Sequence, residues 1–212
     1  MQLIGMLDSP YVRRVAIVML RLGLPFEHRP ISLFRHVDEF RRYNPLLKAP
    51  TLIADDGTLL MDSSLIIDHL ASLAPGGEGL APSGAPARLA ALRSLGLSMA
   101  VCEKAVQTHY ERALRPVEKQ HEPWIARVHA QLFAGLDLLE KDAAASAGWL
   151  FEQRVTLAEI SLACAFTFTQ SYLKDVVDKA GYPSLSAFCA RAEALPEFLA
   201  APPLDGVTAP AR

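Results

Sequence analysis

Residues 50 to 70 read PTLIADDGTLLMDSSLIIDHL, and this stretch decides the fold of the first part of the chain. Two short apolar runs, 50–54 and 58–61, flank an Asp-Asp-Gly sequence, which is a strong signal for a tight turn between antiparallel strands. The Asp-Ser pair after the second run favours the first positions of a helix, which we predict to extend to about Ala74. The stretch therefore predicts a hairpin followed directly by a helix.

The residues before this stretch alternate between strand and helix patterns. Short apolar runs at 2–7 and 26–32 predict strands, and the segments 11–22 and 33–43 predict helices. A helix that connects two neighbouring strands implies that the two strands are parallel. The predicted order is strand, helix, strand, helix, strand, strand, helix, which forms a small mixed sheet with helices packed on it.

A linker and a helical region follow. Residues 75–86 are rich in glycine and proline, which interrupt both helices and strands. From Ala87 onward the pattern is helical, so the predicted fold class is α/β plus all-α. The predicted divisions are a first domain at 1–76, a linker at 77–86, an all-helical domain at 87–201 and a loose C-terminal tail at 202–212.

Composition narrows the possible functions. The chain has 212 residues, a formal net charge of −2 and a pI near 6.3, so it has no overall basic field and we expect no nucleic-acid partner. Its three cysteines are widely spaced and form no Cys-x-x-Cys pair. This spacing argues against a dithiol redox site or a common zinc site, and we expect no bound metal.

One segment raises the question of a membrane. Residues 155–173 are strongly apolar, but they include Glu159 and are barely long enough to span a bilayer, so we predict a buried core helix and no membrane partner. The first ten residues lack the basic start and long apolar stretch of a signal peptide. We therefore predict a cytoplasmic protein.

Three stretches, in this order and spacing, resemble the cytosolic glutathione S-transferase family, in particular its bacterial branches with serine or cysteine at the catalytic position. The resemblance covers nearly the whole chain. It implies a thioredoxin-like domain (βαβαββα), an all-helical domain, a homodimer, and glutathione as co-substrate. The stretches are SPYVRRVAIVMLRLGLPFE at 9–27, NPLLKAPTLIADDGTLLMDSSLIIDHL at 44–70 and TLAEISLACA at 156–165.

Ser9 is the candidate catalytic residue. Serine favours the position before a helix and Pro10 suits the first helical position, so capping alone would explain the pair. The resemblance implies a second role, in which the Ser9 hydroxyl donates a hydrogen bond to the sulfur of glutathione. Arg13 and Arg14 lie one turn further along and could add to the positive electrostatic potential near Ser9. We nevertheless expect at least one of them to be solvated.

Two further segments are candidate glutathione-binding residues by the same resemblance. Pro50 matches a cis proline of the family, whose bond would turn the backbone of Ala49 toward the cysteinyl part of glutathione, and Lys48 could reach the glycyl carboxylate. The family often has glycine before this lysine, where this chain has Leu47. Lys48 could equally be a solvated surface residue.

The pair Asp62 and Ser63 is the second candidate binding segment. Both residue types favour a helix cap. The resemblance assigns the α-carboxylate of the γ-glutamyl group to Ser63 and the helix N-terminus, and the ammonium of the same group to Asp62.

The pocket for the second substrate is poorly specified by the sequence. Four of its candidates share one face of a predicted helix by their spacing, and they could equally be packing or dimer contacts. The candidates are Tyr11, Met99, Glu103, Val106 and Tyr110.

The leading hypothesis is therefore an enzyme, a glutathione transferase with a role in detoxification. In it, the sulfur of glutathione, activated by Ser9, attacks an electrophilic carbon or a peroxide. The resemblance leaves two alternatives: a glutathione-dependent isomerase or dehalogenase on the same fold, and a non-enzymatic protein-binding module similar to the stringent starvation proteins.

Overall fold

The computed structural model of the chain describes residues 1–204 and Thr208. The contacts between Cα atoms divide the chain into two compact units. The first unit contains Met1–Leu80 and the described residues from Glu193 onward, and the second unit contains Ala81–Ala192.

The first unit is built on a four-stranded mixed sheet. The strand order is β2-β1-β3-β4, with β1 parallel to β2 and antiparallel to β3, and with β3 antiparallel to β4. The predicted parallel first pair and the predicted hairpin are both confirmed. The strands are β1 (Gln2–Ile4), β2 (Glu27–Arg29), β3 (Thr51–Ile53) and β4 (Leu59–Met61).

The strands are shorter than the apolar runs that predicted them, for local reasons. β1 ends where Gly5 adopts a φ of 137°, a conformation that favours glycine. β2 ends before Pro30, which has no N–H to donate to a neighbouring strand.

Three helices of the first unit follow the predicted order. α1 uses an apolar face to cover the sheet, and most of its side chains are buried. α2 begins four residues later than predicted because the Ser32 hydroxyl accepts hydrogen bonds from the backbone N–H groups of Phe34 and Arg35, and so forms a local turn in place of the first helical turn. The helices are α1 (Pro10–Arg21), α2 (Val37–Tyr43) and α3 (Ser63–Leu73).

The second unit consists, over its residues 81–192, of helices and short 3₁₀ turns. α6 is its central helix, and most of its side chains are buried. None of the helices that the structure describes is both long enough and apolar enough to cross a membrane. The α-helices are α4 (Ala85–Leu114), α5 (Glu122–Ala144), α6 (Leu157–Tyr172) and α7 (Pro183–Glu193).

α6 begins with a capping box, the arrangement that a Thr-x-x-Glu sequence favours at the start of a helix. The Thr156 hydroxyl accepts from the backbone N–H of Ala158, and the Glu159 carboxylate accepts from the backbone N–H of Thr156 at 2.8 Å. Glu159 is fully buried, and its second oxygen accepts from the N–H of Leu150 at 2.9 Å. These bonds satisfy backbone donors that the start of a buried helix would otherwise leave unpaired.

The end of the chain packs with the first unit, although the sequence pattern groups residues up to 201 with the helical region. The Arg13 guanidinium binds both carboxylate oxygens of Glu193 at 2.5 and 2.6 Å and the Ala201 carbonyl at 2.8 Å. Arg21 pairs with Glu197 at 2.5 Å, on the short helix α8 (Pro196–Leu199). The predicted tail at 202–212 lies largely outside the described residues.

The expectation that Arg13 or Arg14 is solvated was wrong. Both side chains are almost completely buried, with exposed fractions of 2% and 0%. Arg13 is buried because it holds the C-terminal segment, and Arg14 because it faces the start of α3.

Candidate functional site

The register of the sheet brings the three candidate segments to one edge. Ile4, the last residue of β1, pairs with Thr51, the first residue of β3, and Thr51 pairs on its other side with Met61, the last residue of β4. The loop to Ser9 leaves the sheet after Ile4. Ala49 and Pro50 enter the sheet before Thr51, and Asp62 and Ser63 leave it after Met61. Three segments that are separated in sequence therefore meet at the same edge of the sheet.

Ser9 occupies the N-cap of α1, as predicted. Its backbone is extended, Pro10 is at the first helical position, and its half-buried side-chain oxygen accepts from the Val12 N–H at 3.4 Å. Since this bond uses only a lone pair of the oxygen, the Ser9 hydroxyl proton can be donated to another group. The side chain lies beside the first turn of α1, where backbone N–H groups concentrate positive partial charge.

Gly5 keeps the loop after β1 close to the segment before β3. A Cβ atom built on Gly5 would lie 2.6 Å from Cγ2 of Val12 and 3.2 Å from Cβ of Ala49. Sequence reasoning did not single out Gly5, although a glycine where a strand ends is a recognised signal for close backbone approach. The position therefore requires glycine for its space as well as for its φ.

His28 contacts the same loop through the Gly5 carbonyl. Its Nε2 lies 2.8 Å from the Gly5 carbonyl oxygen, and its Nδ1 accepts from the Thr208 N–H at 3.1 Å. Burial lowers the pKa of His28, and the bond to the Gly5 carbonyl opposes this shift only in part. The neutral ring, with its proton on Nε2, fits both partners.

The peptide bond between Ala49 and Pro50 is cis, as the resemblance implied. Leu47, which stands where the family often has glycine, has a φ of 51°, in the left-handed region that favours glycine. Its side chain packs against the apolar cluster of Ile4 and Phe40, which offsets the backbone strain. The Lys48 side chain is exposed.

Asp62 caps α3 and Ser63 is its first residue. One carboxylate oxygen of Asp62 accepts from the N–H groups of Ser64 at 2.8 Å and Leu65 at 3.4 Å. The backbone of Asp62 has a φ of 72°, a strained conformation that aspartate tolerates better than most residues. Its second carboxylate oxygen is not used by these bonds.

Arg14 links α1 to the start of α3. Its Nη1 donates to the Ser63 hydroxyl at 2.9 Å and to the Ser64 hydroxyl at 3.2 Å. Because Ser63 accepts from a guanidinium, its own O–H proton is directed to a different acceptor. Sequence reasoning placed Arg14 near the site but could not identify this contact, since Ser63 lies 49 residues away in the chain.

The arrangement suits a ligand with two anionic groups. The N-termini of α1 and α3 both provide positive partial charge and N–H donors at the same edge of the sheet. The hydroxyls of Ser9 and Ser63 add donors, and Asp62 provides a negative charge beside the second helix. The backbone of Ala49 lies at the same edge, next to the loop of Gly5.

The candidates for a second-substrate pocket fall on two elements. Tyr11 is on α1, and the other four lie on a face of α4 that is exposed or half-buried, beside the buried core face of that helix. Their role stays a prediction. The four are Met99, Glu103, Val106 and Tyr110. Among residues 1–204 and Thr208, no group of three or more His, Cys, Asp and Glu side chains is arranged to hold a metal ion.

Comparison with known proteins places this geometry in a family. The family model for the glutathione S-transferase N-terminal domain matches residues 3–78, and the model for the glutathione S-transferase C-terminal domain matches residues 122–191. Together the two matches cover well over half of the chain.

Relatives and solved structures agree with these models. A glutathione S-transferase from Methylobacterium radiotolerans, solved in complex with glutathione sulfonate, has a TM-score of 0.85 and 30% sequence identity, and the match covers 93% of this chain and 92% of that one. The GST-like protein YibF of Escherichia coli is 29% identical over 78% of this chain and 80% of its own length. The maleylacetoacetate isomerase of Pseudomonas aeruginosa is 29% identical over 70% of this chain and 72% of its own length. The chain belongs to the glutathione S-transferase family.

Proposed function

We propose that this protein is a glutathione transferase, which binds glutathione at the sheet edge of the first unit and activates its sulfur for attack on a small electrophile or a peroxide. The observation that carries the proposal is the convergence of Ser9, Ala49 and Ser63 at that edge, beside two helix N-termini. The glutathione sulfonate in the Methylobacterium relative supports glutathione as the ligand. No metal takes part in this proposal.

The parts of glutathione divide among the three segments. The γ-glutamyl carboxylate accepts from the Ser63 hydroxyl and the N-terminus of α3, and the ammonium of the same group pairs with Asp62. The cysteinyl backbone pairs with the main chain of Ala49, as an added strand does. Lys48 binds the glycyl carboxylate. The sulfur then lies next to Ser9.

The chemistry is the stabilisation of a thiolate. A free thiol has a pKa near 8.5, so only a few per cent is ionised at neutral pH. Lowering that pKa by about 2 units requires about 2.7 kcal/mol of preferential stabilisation of the thiolate. One hydrogen bond from Ser9 and the partial charge of the α1 N-terminus together supply an energy of this size.

We expect glutathione to bind, and replacement of Asp62 by asparagine to weaken the binding by about 10-fold or more, because a charged hydrogen bond contributes about 1.5–3 kcal/mol. Asparagine keeps the oxygen that caps α3 and removes only the negative charge. Calorimetric titration of the wild type and of Asp62→Asn with glutathione measures this difference.

Asp68→Asn is the matched control, since Asp68 is an exposed aspartate on the same helix. Its affinity for glutathione should equal that of the wild type. Absence of binding by the wild type would contradict the proposal and favour a non-enzymatic module. Equal affinity in Asp62→Asn would show that Asp62 does not bind the ammonium.

A glutathione-dependent isomerase is the second candidate function, and the similarity to the Pseudomonas maleylacetoacetate isomerase favours it. The two reactions differ in what happens to glutathione. A conjugating enzyme consumes one thiol for each product formed, whereas an isomerase returns it. Thiol titration during turnover on a panel of electrophiles and cis-unsaturated diacids distinguishes them.

The proposal includes a homodimer in the cytoplasm. On α4, Leu89 and Leu92 are 71% and 55% exposed, an apolar surface that a second copy of the chain would cover. The three buried, unbridged cysteines suit a reducing compartment. Sedimentation should give the mass of two chains, and Leu92→Lys should shift the protein toward one chain; a wild-type protein that sediments as one chain would contradict the dimer.

A further inference from the structure

A buried polar cluster, formed by the side chains of Asn44 and Thr51 and the carbonyl of Lys48, lies where the chain enters β3. Neither Asn44 nor Thr51 is among the residues assigned to glutathione above. Asn44 and Thr51 are almost completely buried, with exposed fractions of 1% and 0%. Asn44 Nδ2 donates to the Thr51 hydroxyl at 2.9 Å, and the Thr51 hydroxyl donates to the Lys48 carbonyl at 2.6 Å. Buried polar groups cost stability unless they are paired, and this cluster pairs its members with one another.

The cluster fixes the backbone of one residue in particular. The Lys48 carbonyl accepts from Thr51 and, at 3.4 Å, from Asn44 Nδ2. The side-chain oxygen of Asn44 accepts a hydrogen bond from the Leu46 N–H at 2.9 Å. The loop is therefore tied on both sides of Leu47, whose φ of 51° would otherwise favour other conformations.

These hydrogen bonds are not needed to form the sheet. Thr51 makes its strand pairs with Ile4 and Met61 through its backbone, and a valine at this position would make the same pairs. What the hydroxyl adds is the direction of the Lys48 carbonyl. The carbonyl of Lys48 is thus bound by buried groups, while the side chain of the same residue is exposed.

We infer that Asn44 and Thr51 are positioning residues that set the preference of the site for the glycyl end of glutathione. The inference rests on the proposed function. Because side chains of the protein itself hold the backbone at Lys48, this residue loses little conformational freedom on binding. Without the cluster, the ligand would have to order this loop itself, and the contact to the glycyl carboxylate would weaken.

The test compares two ligands that differ only at this end. Glutathione carries the glycyl residue and γ-glutamylcysteine lacks it, and both are titrated calorimetrically into the wild type, Thr51→Val and Thr51→Ser. We expect Thr51→Val to lose about 5- to 10-fold in affinity for glutathione, the effect of one or two hydrogen bonds. Its affinity for γ-glutamylcysteine should be unchanged, and Thr51→Ser, which keeps the hydroxyl, should behave as the wild type.

Two further variants make the result specific. Asn44→Ala removes the other side chain of the cluster and should cause the same loss of affinity for glutathione. It therefore replaces Thr51→Val in the test if Thr51→Val folds poorly. Lys48→Met should abolish the preference for glutathione over γ-glutamylcysteine, and Thr51→Val added to it should change nothing more, since the two residues act through the same contact.

The outcomes separate this inference from the proposed function. If Thr51→Val and Asn44→Ala lost affinity for glutathione and for γ-glutamylcysteine equally, the cluster would only support the fold, and the inference would be overturned. An unchanged affinity for glutathione in these variants would also overturn it. In both cases the wild type would still bind glutathione and the proposed function would stand. A wild type that binds neither ligand would overturn both.

Discussion

Replacing Ser9 with alanine should lower glutathione-dependent turnover by about 100-fold or more, the effect of removing one hydrogen-bond donor from a developing or resident anion in an active site. The expected change in glutathione affinity is much smaller, because the contacts that we propose for the γ-glutamyl and glycyl ends lie in other segments. Stability should fall little, since the bond by which Ser9 caps α1 is long, at 3.4 Å. Steady-state kinetics with saturating glutathione, together with a calorimetric titration, measure both effects.

Two variants make the Ser9 result interpretable. Ser9→Cys keeps a weak donor and should retain part of the activity. Ser72→Ala removes an exposed hydroxyl from α3, outside the site, and should leave turnover unchanged. If Ser9→Ala turned over as fast as the wild type, Ser9 would be a helix cap only and the catalytic assignment would be lost.

Replacing Glu159 with alanine should lower the free energy of unfolding by about 3–5 kcal/mol, a large part of the 5–15 kcal/mol typical of a folded domain. The reason is that one fully buried carboxylate satisfies the N–H groups of Leu150 and Thr156 and also binds the Thr156 hydroxyl. Removing it leaves three donors, two of them buried, without that acceptor at the start of the central helix. Urea denaturation followed by circular dichroism measures the loss.

Glu159→Asp is the graded control. The shorter carboxylate can still reach the Thr156 N–H three residues before it, but not the more distant Leu150, so the expected loss is intermediate. A Glu159→Ala protein as stable as the wild type would show that the capping box contributes nothing to the helical unit.

Sequence patterns predicted the elements of the first unit because each had a local cause. The Asp-Asp-Gly turn is an example: the Ala54 N–H donates to the Thr58 carbonyl and Gly57 adopts a φ of 86°, which is the conformation that the pattern demands. The capping box at Thr156 is another feature with a local cause, the Thr-Leu-Ala-Glu sequence at the start of α6. Such features depend on neighbours in sequence and can be inferred without a structure.

Most of the features that the sequence did not reveal depend on distant partners. Arg13 and Arg14 occupy equivalent positions in a local pattern, yet one binds Glu193, 180 residues away, and the other binds Ser63. The late start of α2 is the exception, because its cause, the turn at Ser32, is local. Position in a pattern indicates which elements form, whereas the partner of a buried charge is decided by packing.

The candidate site likewise combines features that local sequence indicates with features that depend on distant contacts. Resemblance to the family proposed Ser9, Asp62 and Ser63 as site residues because their motifs are short and local. It did not identify the roles of Gly5 and Arg14, which depend on how the loop after β1 approaches Ala49 and on how α1 meets α3.

A pH titration of bound glutathione, followed by the ultraviolet absorbance of its thiolate in the wild type and in Ser9→Ala, measures directly whether this site holds the sulfur as a thiolate. We expect the pKa of the bound thiol to lie well below the value of about 8.5 for a free thiol in the wild type, and closer to that of the free thiol in Ser9→Ala. Glutathione that binds to the wild type and still ionises at or above the free value would rule out thiolate activation at this site.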